Sequence, residues 1–354
     1  MPDTPSSSDS PLSNQTHRVK ELDALRGVAA ATVMLFHFFP SWLAQTPEYQ
    51  ALGFDRVWFT VPWGRYGVQL FFVISGYVIL MTLNRTRSVT DFAASRFARL
   101  FPAYWAGCVL TYTGISIWGY PGYSVTPWQA MLNLPMVAVP GARAIEGVYW
   151  TLREEMWFYL VMGGLLAMGR LRWCFVVMGG LVFSSLCTLA FTRFMSLFLL
   201  GMVLYDSRSA FRRRHAVLLA LCAADIIRRA MFGKRGDMAG WEYVGAITLC
   251  AGLVLGATRG WLRWLAVPPL LFLGRISYCL YLIHASLGMI LARELAKRGM
   301  PANISLLCAV AAAVTGAWLL HVGVERPAGN AIRRWYAMRS TRQAQTTIDA
   351  TMQA

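Results

Sequence analysis

The sequence predicts an all-α polytopic membrane protein, with about ten transmembrane helices enclosing a polar passage. Three observations predict it. Hydrophobic residues make up 56% of the 354-residue chain and charged residues only 14%, a balance too apolar for a soluble domain of this size. Apolar runs long enough to cross a bilayer recur from end to end. Basic residues collect in short clusters between those runs, as they do in the cytoplasmic loops of membrane proteins. That placement accounts for the net charge of +16 without nucleic acid as a partner; the implied partner is the lipid bilayer.

Residues 1–17 are rich in Ser, Pro, Asn and Asp and are expected to form a disordered cytoplasmic N-terminus. They lack the apolar core of a signal peptide, so the first hydrophobic helix is expected to be retained. Spans are predicted near 24–43, 65–83, 100–118, 149–168, 173–191, 194–206, 215–230, 242–258, 266–292 and 303–323. The stretch 194–206 is too short to cross untilted. The transmembrane domain is read as 18–330, its last span ended by Pro327, and 331–354 as a basic cytoplasmic tail.

Orientation follows from arginine. Arg85, Arg87, Arg96 and Arg99, then Arg170 and Arg172, then Arg208 and Arg212 to Arg214, then Arg259 and Arg263 fall in alternate loops. With the basic tail they predict that both termini are cytoplasmic, although loops around Lys234 and Lys297 carry charge on the opposite side. Only three of the basic residues are lysines, none deep in an apolar run, which argues against a retinal-type pigment. The seven cysteines show no C-x-x-C and no metal-ligand spacing with histidine. They read as buried apolar residues, neither disulfides nor ligands, and no metal is expected.

The stretch Asp23–Phe39, DALRGVAAATVMLFHFF, is the one the rest is organised around. On a helix Arg26 and His37 are almost three turns apart, so they point the same way, separated by about 16 Å along the axis. Ionisable groups inside a membrane helix usually face a protein interior or a water-filled cavity and mark function. Taken alone, His37 is equally readable as a hydrogen-bond partner for a neighbouring helix.

Read together, the motifs resemble membrane acyltransferase family 3. They are Arg26-x10-His37, then Phe71-Phe72-Val73-Ile74-Ser75-Gly76, Arg96-x-x-Arg99, Trp150-Thr-Leu-Arg-Glu-Glu155 with Phe158-Tyr159, Gly274-Arg-Ile-Ser277-Tyr278 with Tyr281 and His284, and Glu325-Arg-Pro327. Each is weak singly; their order over residues 18 to 330 is specific. Met156 and Trp157 depart from the polar residues that often follow the glutamate. The resemblance implies a stand-alone bacterial O-acyltransferase of the cytoplasmic (inner) membrane. It would move an acyl group, acetyl above all, from cytoplasmic acyl-coenzyme A to a hydroxyl of a cell-surface polysaccharide, glycolipid or other glycoside. The rival class is a multi-span transporter exporting an anionic or acylated product, although the two halves show no obvious internal repeat.

The resemblance also distributes roles. His37 is expected to be catalytic, as base for the hydroxyl or as acyl-carrying nucleophile, and the sequence does not choose between them. Glu155 is the second expected catalytic residue, with Trp150 beside it near the non-cytoplasmic end of its span, where a sugar would meet a carboxylate and an indole. Interfacial anchoring explains that pair equally well. Arg26, Arg96 and Arg99 are expected to bind the phosphates of acetyl-coenzyme A, the latter two one turn apart on a short helix that Asp91 can cap. Asp23, Ser75, Ser277, Tyr281 and His284 complete the expected substrate contacts. For Ser75 close helix packing is the stronger alternative, and for Ser277, Tyr281 and His284, which share a helix face, interhelical hydrogen bonding is an equal one.

Overall fold

Among the described residues fourteen α-helices follow one another: α1 Lys20–Phe38, α2 Pro47–Gln50, α3 Gly67–Leu83, α4 Val89–Trp118, α5 Pro127–Asn133, α6 Trp150–Ala167, α7 Cys174–Leu186, α8 Met195–Asp206, α9 Arg213–Phe232, α10 Trp241–Thr258, α11 Pro268–Ile283, α12 Ala285–Lys297, α13 Ala302–Leu320 and α14 Arg326–Gln353. The structure, a computed structural model, describes residues 19–353 apart from 41–44, 87, 138, 140, 188–192 and 234–239, with side chains described to residue 339. The expected N-terminal tract, the ends of the first and fifth predicted spans, Arg87 and Lys234 lie outside the described residues. Among the described residues the one β-type pairing is an isolated bridge between Tyr120 and Tyr123.

Within the described residues the predicted spans fall on helices, the one at 266–292 on two (α11 and α12), but length and apolarity single out fewer as crossing helices. Pro62–Leu83, Val89–Trp118, Trp241–Thr258 and Ala302–Arg339 qualify, and the pair α11 and α12, bent by 73°, makes a fifth. The reason is instructive. α1, α6 and α9 carry Asp23 and Arg26, Arg153 to Glu155, and Asp225 with Arg228 and Arg229. Their charges must be satisfied inside the bundle. Asp225 shows how: fully buried, it accepts from Ser185 Oγ at 3.0 Å and Ser196 Oγ at 2.8 Å and pairs with Arg229 Nε at 2.8 Å.

α1 runs through the middle of the bundle, against α11 on one side and α3 on another. Glycine sets these distances. A Cβ on Gly27 would lie 2.6 Å from the Gly274 nitrogen, and one on Gly274 would lie 2.2 Å from the Asp23 carbonyl oxygen. α3 and α8 interlock the same way: a Cβ on Gly76 would come within 2.0 Å of the Phe198 carbonyl, and one on Gly201 within 2.0 Å of the Val73 carbonyl. Small residues thus let backbones meet where membrane helices gain most from packing. α8 is buried on nearly all sides, as an all-round apolar helix should be.

Two expectations are corrected here. Arg96 and Arg99 do not sit on a short helix capped by Asp91. They belong to the 30-residue α4, capped by Ser88, which accepts from the Thr90 amide, and continuing through Pro102. Pro102 has no N–H for the Ala98 carbonyl, and Gly329 of α14 packs over that carbonyl instead, so close that a Cβ there would lie 2.8 Å away. Nor does Pro327 end the last span. Residues 321–325 form a π-helical turn and the chain runs on as α14, in whose first turn Pro327 sits. Within this continuous run Pro327 has no N–H for the preceding turn, and the π-helical turn directly before it is where the hydrogen-bond ladder shifts. The boundary expected at residue 330 therefore falls inside a helix.

Candidate active site

Three cavities follow one another along α1. The first, about 480 Å³, is lined by Asp23 and Arg26 of α1, Arg96 and Arg99 of α4, Arg275 of α11, and His321, Glu325, Arg326 and Arg333. The second, about 50 Å³, shares Arg26 and adds Phe71, Ser75, Glu155, Ser277, Tyr278 and Tyr281. The third, about 320 Å³, shares Val68 and Tyr281 with the second and holds His37, Gln69, Glu146, Trp150, Arg193 and Ser286. The first and third therefore open at opposite ends of α1, and Arg26 and Tyr281 stand at the two junctions.

The first cavity is strongly basic. Among the described residues Arg26, Arg99, Arg275 and Arg326 have no carboxylate within ion-pair distance, and the buried Nε atoms of Arg26 and Arg96 have no hydrogen-bond partner. Glu325 is engaged elsewhere: its Oε2 accepts from Cys279 Sγ at 3.1 Å and from His321 Nδ1 at 2.7 Å. The ligating atoms of Cys279, His321 and Glu325 lie within 4.8 Å of one another, a set that could hold a metal ion. The surrounding arginines oppose a cation and favour an anion with several charges. Cys279 is thus more than an apolar filler, because its thiol is a donor.

In the second cavity Glu155 Oε1 accepts from Ser75 Oγ at 2.6 Å and from Tyr159 OH at 2.5 Å. Tyr159 and Glu155 both lie within electrostatic reach of Arg26 and Arg96. Glu155 and Trp150 are therefore separated. Five residues of helix, about 7.5 Å of rise, place Trp150 in the third cavity and Glu155 in the second. Sequence proximity alone hides this division. Ser277 lines the same cavity while its Oγ donates to the Gly274 carbonyl at 2.9 Å, and Tyr281 OH lies 2.6 Å from Thr151 Oγ1.

The third cavity contains the histidine. His37 Nδ1 lies 2.8 Å from the Val33 carbonyl and 3.2 Å from His284 Nε2. His284 is fully buried behind it, with Nδ1 3.0 Å from both the Leu280 and Tyr281 carbonyls. Carbonyl oxygens only accept, so Nδ1 of His284 carries its proton. In the neutral pair Nε2 of His284 is then an acceptor, and Nδ1 of His37 must be the donor, shared between that nitrogen and Val33. One tautomer remains for His37: a protonated Nδ1 and a lone pair on Nε2. A neutral imidazole with Nε2 free can remove a proton or attack a carbonyl carbon.

The bend between α11 and α12 is what brings His284 here. His284 stands at the break and its Nδ1 is bonded to carbonyls of the preceding turn. The opposite side of the break is held by Glu146, a residue the sequence does not single out. It accepts from the Ser286 amide at 3.0 Å, from Ser286 Oγ at 2.9 Å and from the Gly147 amide at 2.8 Å. Burial pushes its carboxyl up from 4.5 to about 7, against the lowering effect of those hydrogen bonds. Arg333 is likewise unflagged by sequence, because tail arginines are common beside membranes, and Arg275 enters the sequence reading only as an unassigned member of the Gly274 motif.

Helices carrying ionisable residues around a buried histidine, with an arginine-lined cavity at one end, describe a membrane-embedded transferase. Residues 19–322 match the family described as Acyltransferase domain, and the chain belongs to it: membrane acyltransferase family 3, multi-pass membrane acyltransferases. Across 299 residues it is 30% identical to the "Exopolysaccharide production protein ExoZ" of Rhizobium meliloti (strain 1021), covering 78% of this chain and 92% of that protein. It is also 30% identical to the "O-acetyl transferase" of Shigella phage Sf6 over 161 residues, 42% of this chain and 46% of that one. "Nodulation protein 10" of Rhizobium leguminosarum bv. viciae is 30% identical over 173 residues, 44% and 46%. No solved structure matches significantly.

Proposed function

We propose that this protein is an O-acyltransferase of the bacterial inner membrane, moving an acetyl group from cytoplasmic acetyl-coenzyme A to a hydroxyl of a cell-surface polysaccharide, glycolipid or other glycoside. The observation that carries the reading is the succession of three cavities, linked by shared walls at Arg26 and Tyr281, from the arginine cluster to His37. A polyphosphate donor suits the first cavity, with its half-buried guanidiniums of Arg26 and Arg96. The pantetheine arm would run inward past Arg26 and Ser75, bringing the thioester toward Tyr281 and His37. The acceptor would enter the 320 Å³ cavity, of a size that suits a small ligand, with Trp150 covering an apolar sugar face and Gln69 within its wall.

His37 Nε2 takes the hydroxyl proton as the oxygen attacks the thioester carbon, and the coenzyme thiolate leaves toward the arginines. Glu155, bonded to Ser75 and Tyr159, holds the narrow middle of the path. The ExoZ likeness favours an exopolysaccharide as acceptor and the Sf6 likeness favours acetyl as the group moved. A protein with both termini cytoplasmic would present the arginine cavity to the coenzyme A pool.

The experiment is donor binding and transfer on purified protein. Arg96→Ala and Arg99→Ala should each weaken acetyl-coenzyme A binding about ten- to hundredfold, the worth of a charge-assisted bond. An exporter instead predicts no turnover of the thioester, and wild-type protein that binds and cleaves none overturns the proposal.

A further inference from the structure

The family match ends at residue 322, but the wall of the arginine cavity does not. Arg326 and Arg333 of α14 line it together with Arg96 and Arg99. α14 is seated firmly on α4. Gly329 packs over the Ala98 carbonyl, and the Tyr336 hydroxyl lies 2.8 Å from both Thr90 Oγ1 and Asp91 Oδ1. Positions 326, 329, 333 and 336 recur at spacings of three and four, so they form the one helix face that meets α4. Arg333 donates one N–H to Asn330 Oδ1 at 2.8 Å, and a guanidinium has four more to offer.

Depth then assigns the arginines. A donor whose arm passes Ser75 and brings its thioester to Tyr281 and His37 puts its diphosphate at the more buried Arg96 and Arg99. Its nucleotide end, with a phosphate monoester of about −1.5 to −2 charge, is left at the mouth, where Arg333 is exposed. The cavity's six arginines against Asp23 and Glu325 leave an excess of positive charge comparable with the about four negative charges of such a donor.

We propose that Arg333 binds the phosphate monoester at the nucleotide end of the acyl-coenzyme A donor, so that α14, outside the family match, completes the donor site. This rests on the acyl-coenzyme A reading above. The test is calorimetric titration of the full-length protein in detergent with acetyl-coenzyme A and with its 3′-dephospho analogue. Arg333→Ala should weaken binding of the first about tenfold and leave the second unchanged. Arg334→Ala, the same charge change on a neighbouring face of α14, should alter neither. Equal losses for both ligands, or no loss for either, with wild-type binding intact, overturn the role of Arg333 and leave the donor reading standing. Wild-type protein that binds neither ligand overturns both.

Discussion

His284 Nε2 lies 3.2 Å from His37 Nδ1, and the rings meet edge to face with centroids 5.0 Å apart. Because His284 has already committed its other nitrogen to two backbone carbonyls, the pair is polarised in one direction. His37 is left with its basic nitrogen on the cavity side. We propose that His284, expected from sequence to touch substrate, acts by orienting His37.

His37→Ala should lower kcat/KM about 10²- to 10⁴-fold, the usual contribution of a positioned base, with donor affinity unchanged. Steady-state transfer alongside equilibrium binding of acetyl-coenzyme A measures both. Transfer near the wild-type rate would remove His37 from the chemistry.

His284→Ala should reduce kcat about tenfold or more with little change in KM for either substrate, because Nδ1 of His37 loses an acceptor but the cavity wall is unchanged. His284→Gln, which can offer a carbonyl oxygen, should recover part of the loss. A rise in KM at constant kcat would mean that His284 meets the acceptor directly.

Glu155→Gln keeps an acceptor for Ser75 and Tyr159, so the protein should fold normally while transfer falls. Glu155→Ala leaves two hydroxyls unpartnered and should cost about 1–3 kcal/mol of stability, read by thermal unfolding in detergent. Equal stability of the two variants would contradict the hydrogen-bonded arrangement.

Glu146 predicts a pH dependence. Its carboxyl in the folded protein is raised to about 7 from 4.5, so the unfolded chain releases the proton first. The stabilisation is fully present below about 4.5 and is lost as pH rises toward 7. Glu146→Gln removes that titration at the expense of one acceptor. The melting-temperature difference between variant and wild type should therefore shift in the variant's favour from pH 4.5 to 7 and then level off. A difference that is flat across this range would show that Glu146 does not titrate there.

Gly76→Ala should be destabilising well beyond the about 1–3 kcal/mol of ordinary overpacking, since the new Cβ would meet the Phe198 carbonyl at 2.0 Å. Gly180→Ala, where a Cβ meets nothing within 4 Å, is the matched control. Similar melting of both proteins would refute the tight α3–α8 crossing.

Apolar runs make α3, α10 and α13 legible in the sequence, and the family motifs mark His37, Arg26 and Glu155. Three things are not legible, each for a physical reason. His284 is 247 residues from His37, and helical spacing reports only that it shares a face with Tyr281 and Ser277. Glu146 lies outside any periodic segment, and its partner Ser286 is 140 residues away. Pro327 reads as a stop because the rule assumes an unbroken α-helical ladder, which the π-helical turn at 321–325 alters.

The smallest of the three cavities has a consequence for the cell. Cavities that open at opposite ends of one helix bundle invite a leak of protons down the membrane potential. At about 50 Å³ the middle chamber admits only a few waters, and Ser75 and Tyr159 are already spoken for by Glu155. Those few waters are what a proton would have to cross between the two larger cavities. The constriction that a thin acyl-bearing arm threads therefore sets the leak as well, and enlarging it, as Phe71→Ala would, should raise a proton current measurable in proteoliposomes.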